Sequence, residues 1–520
     1  MPNLTKSPAL RLLVVVMFIL LTISGISFSL YLIYFGAHTI AMYAIATVFL
    51  ILSAVSGFFN IFTSYSYYRS VFYDKYLEGI TRMLKPLTYK PTVALVMPVF
   101  NEDAAIVQRN MLRLMTMNYP ADKMSFYLLD DSTDAGTGRK LRAFAASNGI
   151  KYLHRDDRKG FKAGALNNMM AQSSEEFIAV FDYDEYLTDQ NFLLDLLPYF
   201  SDRKLSYIQT EKRYFKGTFF SDTVDLFDAF FFKFIQPSRA LNNTAIFAGS
   251  CGLLRRSAVE KVGGFPEYII EDTFFSFESD MHDFSSLYLP KVYAYGKPIL
   301  TFSNLAKQQW RYNYGDTQFL MYFIRRLRSG NGGKKMPMMS TVDYITHGAG
   351  LNYISIVLIL FAMVSVAVVF AASSHSGVTI QQLLDAKYIA TTIEILGIST
   401  FAISILAPTI MTKVHFKSLR KGFMVFLLNF ALSFIRTKAA IAASLDMYPS
   451  MGWSKGGKAP GIRGRTLNTI RTTLSETTFS SSLFILGFLA LIINNIYGAV
   501  WLIWYAMLYS TTFILFYKYG

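Results

Sequence analysis

Apolar runs long enough to cross a bilayer lie toward both ends of this chain and bracket a middle of ordinary globular composition. Leu12 to Phe35 and Thr39 to Phe62 are almost uncharged, and each has the roughly 20 residues that a helix needs to cross a hydrocarbon core about 30 Å thick. Together they read as a transmembrane hairpin. A cleaved signal peptide is the other reading of the first run, but its apolar stretch is too long, a second run follows at once, and no small-residue cleavage site is convincing. The connecting Gly36-Ala37-His38 carries no Lys or Arg, whereas Lys6, Arg11, Arg69 and Lys75 flank the outer ends. Lys and Arg favour the cytoplasmic side, so both outer ends, and the long middle segment with them, are expected there.

Toward the other end come Leu351 to Ala372 and Ile389 to Met411, a basic loop with Lys413, Lys417, Arg420 and Lys421, and the apolar stretch Phe423 to Leu445. If that last stretch crossed, the loop with Lys455, Lys458, Arg463, Arg465 and Arg471 would lie outside, against the charge rule; Arg436 and Lys438 also sit in its second half. An amphipathic helix lying in the interface satisfies both facts better. The final run, Phe479 to Tyr517, is about twice one span, and Asn494-Asn495 with Gly498 supply a turn in its middle. Six crossings are expected, with seven as the alternative and both termini inside.

Composition fits a mixed architecture. At 52% hydrophobic and 16% charged, the chain is too apolar for a soluble enzyme and too charged for a bare helical bundle. The net charge of +15 suits cytoplasmic loops beside anionic membrane lipids, and no basic arm calls for nucleic acid. A lone cysteine, Cys251, excludes an intramolecular disulfide and a cysteine-built metal site, so any metal must be held mainly by oxygen.

Between about Ser66 and Gly350, short β-rich runs alternate with helical patterns. Thr92 to Val96, Phe126 to Leu129, Ile178 to Phe181 and Ser206 to Gln209 read as strands, and the rhythm predicts an α/β layer fold with a largely parallel sheet. Ligands of such sheets bind outside the carboxyl ends of the strands, and acidic clusters stand there. Asp130-Asp131 follows one strand; alone it reads as a turn or helix cap. Asp182-Tyr183-Asp184 follows Phe177 to Phe181 and gathers carboxylates that a hard divalent cation would compensate. Glu271-Asp272 follows Tyr268-Ile269-Ile270, where acidic residues also suit a helix N-terminus.

The order of these clusters and their neighbours resembles the membrane-integrated branch of glycosyltransferase family 2, which includes cellulose, hyaluronan and chitin synthases. The entry strand and loop match Val96-Met97-Pro98-Val99-Phe100-Asn101-Glu102, the nucleoside aspartates Asp130-Asp131, and the lysine-bearing turn Lys162 to Asn167. The metal motif matches Asp182-Tyr183-Asp184, the acceptor loop Phe247-Ala248-Gly249-Ser250-Cys251-Gly252, the T-E-D motif Ile270-Glu271-Asp272, and the Q-x-x-R-W motif Gln308-Gln309-Trp310-Arg311-Tyr312.

This resemblance implies a GT-A-type cytosolic domain over 66–350 with interfacial helices, after a transmembrane hairpin over 1–65. It implies a C-terminal transmembrane region over 351–520, with an interfacial helix over 423–445 and a gating-like loop over 449–476. Further interfacial helices are expected at Phe227 to Ile235 and Phe319 to Arg326. Gly452 to Lys458, with Trp453 and Lys455, would lie in the gating loop, although a solvated basic connector or a lipid contact also explains that composition.

By the same resemblance Asp184 would hold Mg²⁺ or Mn²⁺ on the donor diphosphate, with Asp182 near the sugar or the metal. Arg311 and Gln308 would bind the pyrophosphate, and Asp131, Glu102 and Lys162 the nucleoside. Asp272, beside Glu271, would be the general base of an inverting transfer. Tyr312 stands where the polymer-making members carry tryptophan, and Ile270 where they carry threonine. The expected donor is a UDP-sugar, UDP-glucose first and UDP-N-acetylglucosamine second, and the expected acceptor is a growing β-glycan at the plasma membrane. A transferase that adds one sugar to a lipid is the alternative, and a nucleotide-binding transporter or scaffold the third reading. A soluble dinucleotide-binding dehydrogenase is disfavoured because no G-x-G-x-x-G follows the first strand. Oligomeric state is not legible.

Overall fold

The computed structural model describes residues 8–31, 39–85, 88–329, 336–372, 417–447 and 469–520, with a few single positions between these ranges. The described strands are, in chain order, β1 (Val93–Val99), β2 (Met124–Asp130), β3 (Lys151–His154), β4 (Phe177–Val180), β5 (Tyr186–Leu187), β6 (Leu205–Thr210), β7 (Arg213–Tyr214), β8 (Gly252–Arg255), β9 (Ser285–Leu289) and β10 (Ala294–Gly296). Seven of them form one sheet in the order β3-β2-β1-β4-β8-β6-β9, and β5, β10 and β7 form a small second sheet.

β1 pairs in parallel with β2 and β4, β2 with β3, and β6 with β9, while β8 runs antiparallel to both neighbours. β4 and β6 therefore point the same way on either side of β8, and their carboxyl ends open on one edge. The alternation in β1 shows why the strand lies at the centre. Val93, Leu95, Met97 and Val99 join one apolar cluster and Ala94 and Val96 the opposite one, which is the period of two expected of a strand covered on both faces.

The strands expected from sequence correspond to β1, β2, β4 and β6. β3, β8 and β9 carry weaker local signals: β3 is an edge strand with charged ends, β8 opens on Gly252, and β9 on two serines.

Among the helices that position the site and the apolar region are α1 (Pro8–Tyr31), α2 (Ile40–Arg69), α3 (Phe161–Ala171), α4 (Phe219–Phe230), α5 (Glu271–Met281) and α6 (Phe302–Arg328). Four more follow: α7 (Met338–Ala372), α8 (Leu419–Ser444), α9 (Leu474–Ile492) and α10 (Ile496–Tyr519). The first two apolar runs become α1 and α2, and α2 continues beyond Phe62 to Arg69. The last run breaks where Asn494 takes φ 58° and Asn495 caps the next helix by accepting Gly498 N at 2.9 Å.

Among the described residues, five segments are long and apolar enough to cross a membrane: Ile40–Arg82, Tyr353–Phe370, Leu419–Ser444, Leu474–Ile492 and Gly498–Tyr519; Arg11–Ser27 is shorter. Ile389 to Met411 lies outside the described residues. The stretch Phe227 to Ile235 is the end of α4 plus a π-helical turn, and Phe319 to Arg326 belongs to α6.

α8 joins the two halves of the molecule. Leu428, Ala431 and Leu432 pack with Phe302 and Leu305 of α6 and Leu515 of α10, while Ala439 and Ala443 pack with Trp310 and Tyr314 of α6.

Candidate active site

At the carboxyl ends of β1 and β2, polar side chains bind mostly to one another. Asn101, in the left-handed region at φ 56°, accepts Thr133 N and Asp134 N at 2.9 Å each and donates from its amide nitrogen to Thr133 Oγ1 at 2.9 Å. Its side chain thereby ties the loop after Pro98-Val99 to the loop after β2. Asp130 is fully buried and accepts Tyr152 OH at 2.6 Å and Ser132 N at 2.9 Å. Asp131 is gripped by both arms of Arg155, Nε lying 2.9 Å from Oδ1, and the same guanidinium donates to the carbonyls of Lys159 and Phe161 at 2.9 and 3.0 Å. Glu102 points across to the β4 end: Tyr183 OH bonds to it, and burial, with Asp182 nearby, pushes its carboxyl above the usual range.

The centre of the site is Asp182, just past β4. Lys162 of α3 donates to Asp182 Oδ1 at 2.7 Å and to the carbonyl of Gly249 at 2.9 Å. Lys212, just past β6, lies 3.5 Å from Asp182 Oδ2 and 3.2 Å from Glu185 Oε1 and donates to Ser250 Oγ. Ser250 Oγ in turn stands 2.8 Å from Asp182 Oδ2 and 2.7 Å from Glu185 Oε1. Burial opposes ionisation of Asp182, but Lys162 and Lys212 overcome it and hold the carboxyl well below the ordinary range.

Asp184 is the opposite case. Burial, and then the charges of Asp182 and Glu185, push it up to about 7, with Lys212 too weak a counterweight. Among the described residues no three His, Cys, Asp or Glu side chains converge as a metal cage. One under-compensated carboxylate at a strand end does fit Mg²⁺ or Mn²⁺, which take few protein ligands and complete their oxygen shell with phosphate and water.

Asp272 heads α5, its Oδ1 accepting Thr273 N at 2.8 Å, and Glu271 precedes it in the first turn. Burial first, then the neighbouring Asp272, push Glu271 up to about 7; burial also raises Asp272, against the pull of Thr273 N–H, Lys162, Lys212 and Arg311. Gly249 makes the meeting possible. It sits at φ +80°, and a Cβ there would stand 3.0 Å from Asp272 Oδ2 and 3.6 Å from Lys162 Nζ, so a side chain would fill the gap between the carboxylate and the lysine. The Asp182 and Asp272 clusters therefore share one lysine and one glycine. Cys251 instead packs into the sheet core, 1% exposed, and burial pushes its thiol up.

The five residues Gln308 to Tyr312 divide between the faces of α6. Arg311 and Tyr312 are exposed, Arg311 within electrostatic reach of Asp182 and Glu271, and Tyr312 of Lys212, Asp228 and Asp272. Gln308 Nε2 donates to Tyr312 OH at 3.3 Å. Gln309 and Trp310 turn away: Gln309 accepts from Arg436 of α8, and Trp310 stacks on Tyr314 with ring centroids 5.1 Å apart. Gly315 brings α6 hard against the loop before α5, since a Cβ there would lie 2.6 Å from Ile270 Cγ2 and 2.8 Å from Ile269 Cγ2. Trp453 and Lys455 lie outside the described residues.

Sequence reasoning passed over Lys212, Glu185 and Arg155. Lys212 had a usable signal, because Glu211-Lys212-Arg213 follows a strand as the acidic pairs do. Arg155 had none, since its partner is 24 residues away.

A mixed α/β sheet with acidic strand ends, an acidic pair at a helix N-terminus and an arginine helix beside it form a GT-A-like core joined to long apolar helices. Residues 94–263 match the family model described as Glycosyl transferase family 2. Over this region the chain is related to bacterial cellulose synthase catalytic subunits. It is 29% identical over 235 residues to the UDP-forming cellulose synthase catalytic subunit of Pseudomonas fluorescens strain SBW25, covering 44% of this chain and 31% of that protein. It is 28% identical over 236 residues to the corresponding subunit of Xanthomonas axonopodis pv. citri strain 306, covering 44% and 32%. The matched segment thus spans about a third of each relative's length. Among solved structures, the mannosyltransferase PcManGT of Pyrobaculum calidifontis, in complex with GDP-Man and Mn²⁺, covers 76% of this chain and 100% of its own at 17% identity and a TM-score of 0.49.

Proposed function

We propose that this chain is a membrane-embedded inverting glycosyltransferase that moves a sugar from a UDP-sugar, UDP-glucose or UDP-N-acetylglucosamine first, onto a growing β-linked polysaccharide and passes the product across the membrane. One observation carries the reading: Lys162 bridges Asp182 to Gly249, where a Cβ would stand 3.0 Å from Asp272 Oδ2. A donor-side acid and a candidate base from distant segments thereby face one reaction space. The names of the curated relatives, UDP-forming cellulose synthase subunits, support the donor and the product.

In this reading the nucleoside lies along the β1 and β2 ends, against Asp131 and Glu102, and the diphosphate lies near Asp184. A divalent cation held by Asp184 would supply positive charge at the diphosphate. Arg311, with five donors in a planar fork, binds phosphate oxygens from the α6 side. Asp272 accepts the proton of an acceptor hydroxyl as that oxygen bonds to the anomeric carbon, and the bond from that carbon to the diphosphate breaks on the opposite face. Burial suits Asp272 to this work, because a base whose pKa is raised toward neutrality is better matched to a hydroxyl at working pH. Residues 66–350 form the cytosolic catalytic domain, with 1–65 and 351–520 as the membrane regions.

Tyr312 favours a second reading. Where the polymer-making relatives stack the acceptor on tryptophan, this chain offers a smaller ring that is 36% exposed and tied to Gln308, which suits transfer of a single sugar to a lipid. Incubating the purified protein with radiolabelled nucleotide sugars and sizing the lipid-soluble and polymeric products decides between the two. Polymer is expected; a single-sugar glycolipid selects the second reading, and no transfer from any donor rejects both. In the same assay Asp184→Asn should lose activity and divalent-metal dependence together.

A further inference from the structure

Arg436 is an outlier in its own helix. It lies in the second half of the apolar α8, yet it is fully buried, whereas an arginine there to reach the membrane surface would expose its head. Its Nε and one terminal nitrogen both donate to Gln309 Oε1, at 3.1 and 2.8 Å, and its other terminal nitrogen reaches Asn429 Oδ1 at 3.3 Å. The ring of Phe227 stands 5.3 Å from its guanidinium carbon. No carboxylate among the described residues forms an ion pair with it, while Asp228 of α4 and Asp316 of α6 face it at longer range. A buried arginine held by neutral acceptors is costly to desolvate, and apolar residues of the same volume often do better for stability alone. Its placement therefore points to orientation.

Helix geometry indicates what is oriented. Successive residues of α6 are turned by 100°, so anchoring Gln309 on α8 directs Arg311, two residues on, to the opposite side, toward Asp182 and Glu271. On the other flank Gly315 lets α6 touch Ile269 and Ile270, directly before the base. The helix is thus wedged between α8 and the base loop. We propose that Arg436 is a positioning residue of the active site: from the C-terminal apolar region it grips Gln309 and so fixes the turn of α6 that presents Arg311 and Tyr312. The assignment rests on the reading of the strand-end site as a nucleotide-sugar site.

The test uses the full chain in lipid nanodiscs, with UDP and Mg²⁺ titrated by calorimetry and sugar transfer followed separately. Arg436→Met should raise the UDP dissociation constant about tenfold, Arg436→Lys less, and either change should add under about twofold in an Arg311→Met background. A purely structural arginine would lower thermal stability but leave the affinity of the folded fraction unchanged. Gln309→Ala keeps the buried charge and its distant carboxylates, so it carries the test if Arg436→Met does not fold, with an expected rise of about fivefold. The proposal is overturned if Gln309→Ala and Arg436→Lys both leave UDP affinity at the wild-type value, or if the loss persists undiminished without Arg311. A wild-type chain that neither binds UDP nor transfers sugar overturns the functional reading and this assignment together; normal transfer with unaffected variants overturns the assignment alone.

Discussion

The strand-end site and the buried arginine of α8 handle charge in opposite ways. At the strand ends charge is matched by charge: Asp131 with Arg155, and Asp182 and Glu185 with Lys162 and Lys212. In the helical region Arg436 is satisfied by the amide oxygens of Gln309 and Asn429. Arg11, likewise, donates to the Tyr67 carbonyl at 2.9 Å and lies 5.0 Å from the Tyr67 ring centroid. The paired lysines hold the Asp182 carboxyl below its ordinary range despite burial. Binding to neutral groups satisfies the donors while leaving the positive field free to act on more distant carboxylates.

The sharpest way to break this contrast is at Asp272, the proposed base. Asp272→Asn should lower turnover about a thousandfold and leave UDP affinity within about threefold; affinity that collapses with turnover would move Asp272 from acid–base work to donor binding. Next comes the pairing itself. Lys212→Met leaves Glu185 and Asp182 short of a cation, and because the lysine and Asp182 are only half-buried the loss should be about 1–3 kcal/mol. Chemical denaturation should record that loss, and adding Glu185→Gln should recover most of the stability without the turnover.

Third is the wedge between the regions. Gly315→Ala drives a methyl into Ile269 and Ile270, overpacking that costs about 1–3 kcal/mol; turnover should fall more than UDP binding as the α6 face shifts from Asp272. The smallest effect tests the distant carboxylates. Asp228, held by Tyr214 OH at 3.0 Å, is pushed up to about 6 by burial and then by Asp225. Its favourable contribution is complete below the ordinary aspartate value, about pH 4, and is lost as pH rises through about 6. Asp228→Asn should flatten that fall and raise the melting temperature by about 2–4 °C at pH 7. An unchanged pH–stability curve would show that Arg436 already neutralises the site.

Elements with a strong local pattern were legible from sequence: α1 and α2 as uncharged runs, the break at Asn494-Asn495, and β1, β2, β4 and β6 as apolar strands ending in polar residues. β3 and β9 were not, because edge position and hydroxyl residues dilute the alternation. Within the candidate site, the motif residues stand near one cleft only in part. Gln309, Trp310 and Cys251 belong to packing interfaces, and Asp130 is bound within the fold. Motif order shows which residues travel together, and helix phase decides which of them face inward.

By itself the sequence determined an α/β middle between apolar ends and the acidic residues that follow its strands, since run length and strand period are properties of neighbouring residues. Tertiary structure alone decided which cations meet those acids. Lys162 lies 20 residues from Asp182, and Arg436 lies 127 from Gln309. Pairing across such separations depends on how the layers pack, and no local pattern records it.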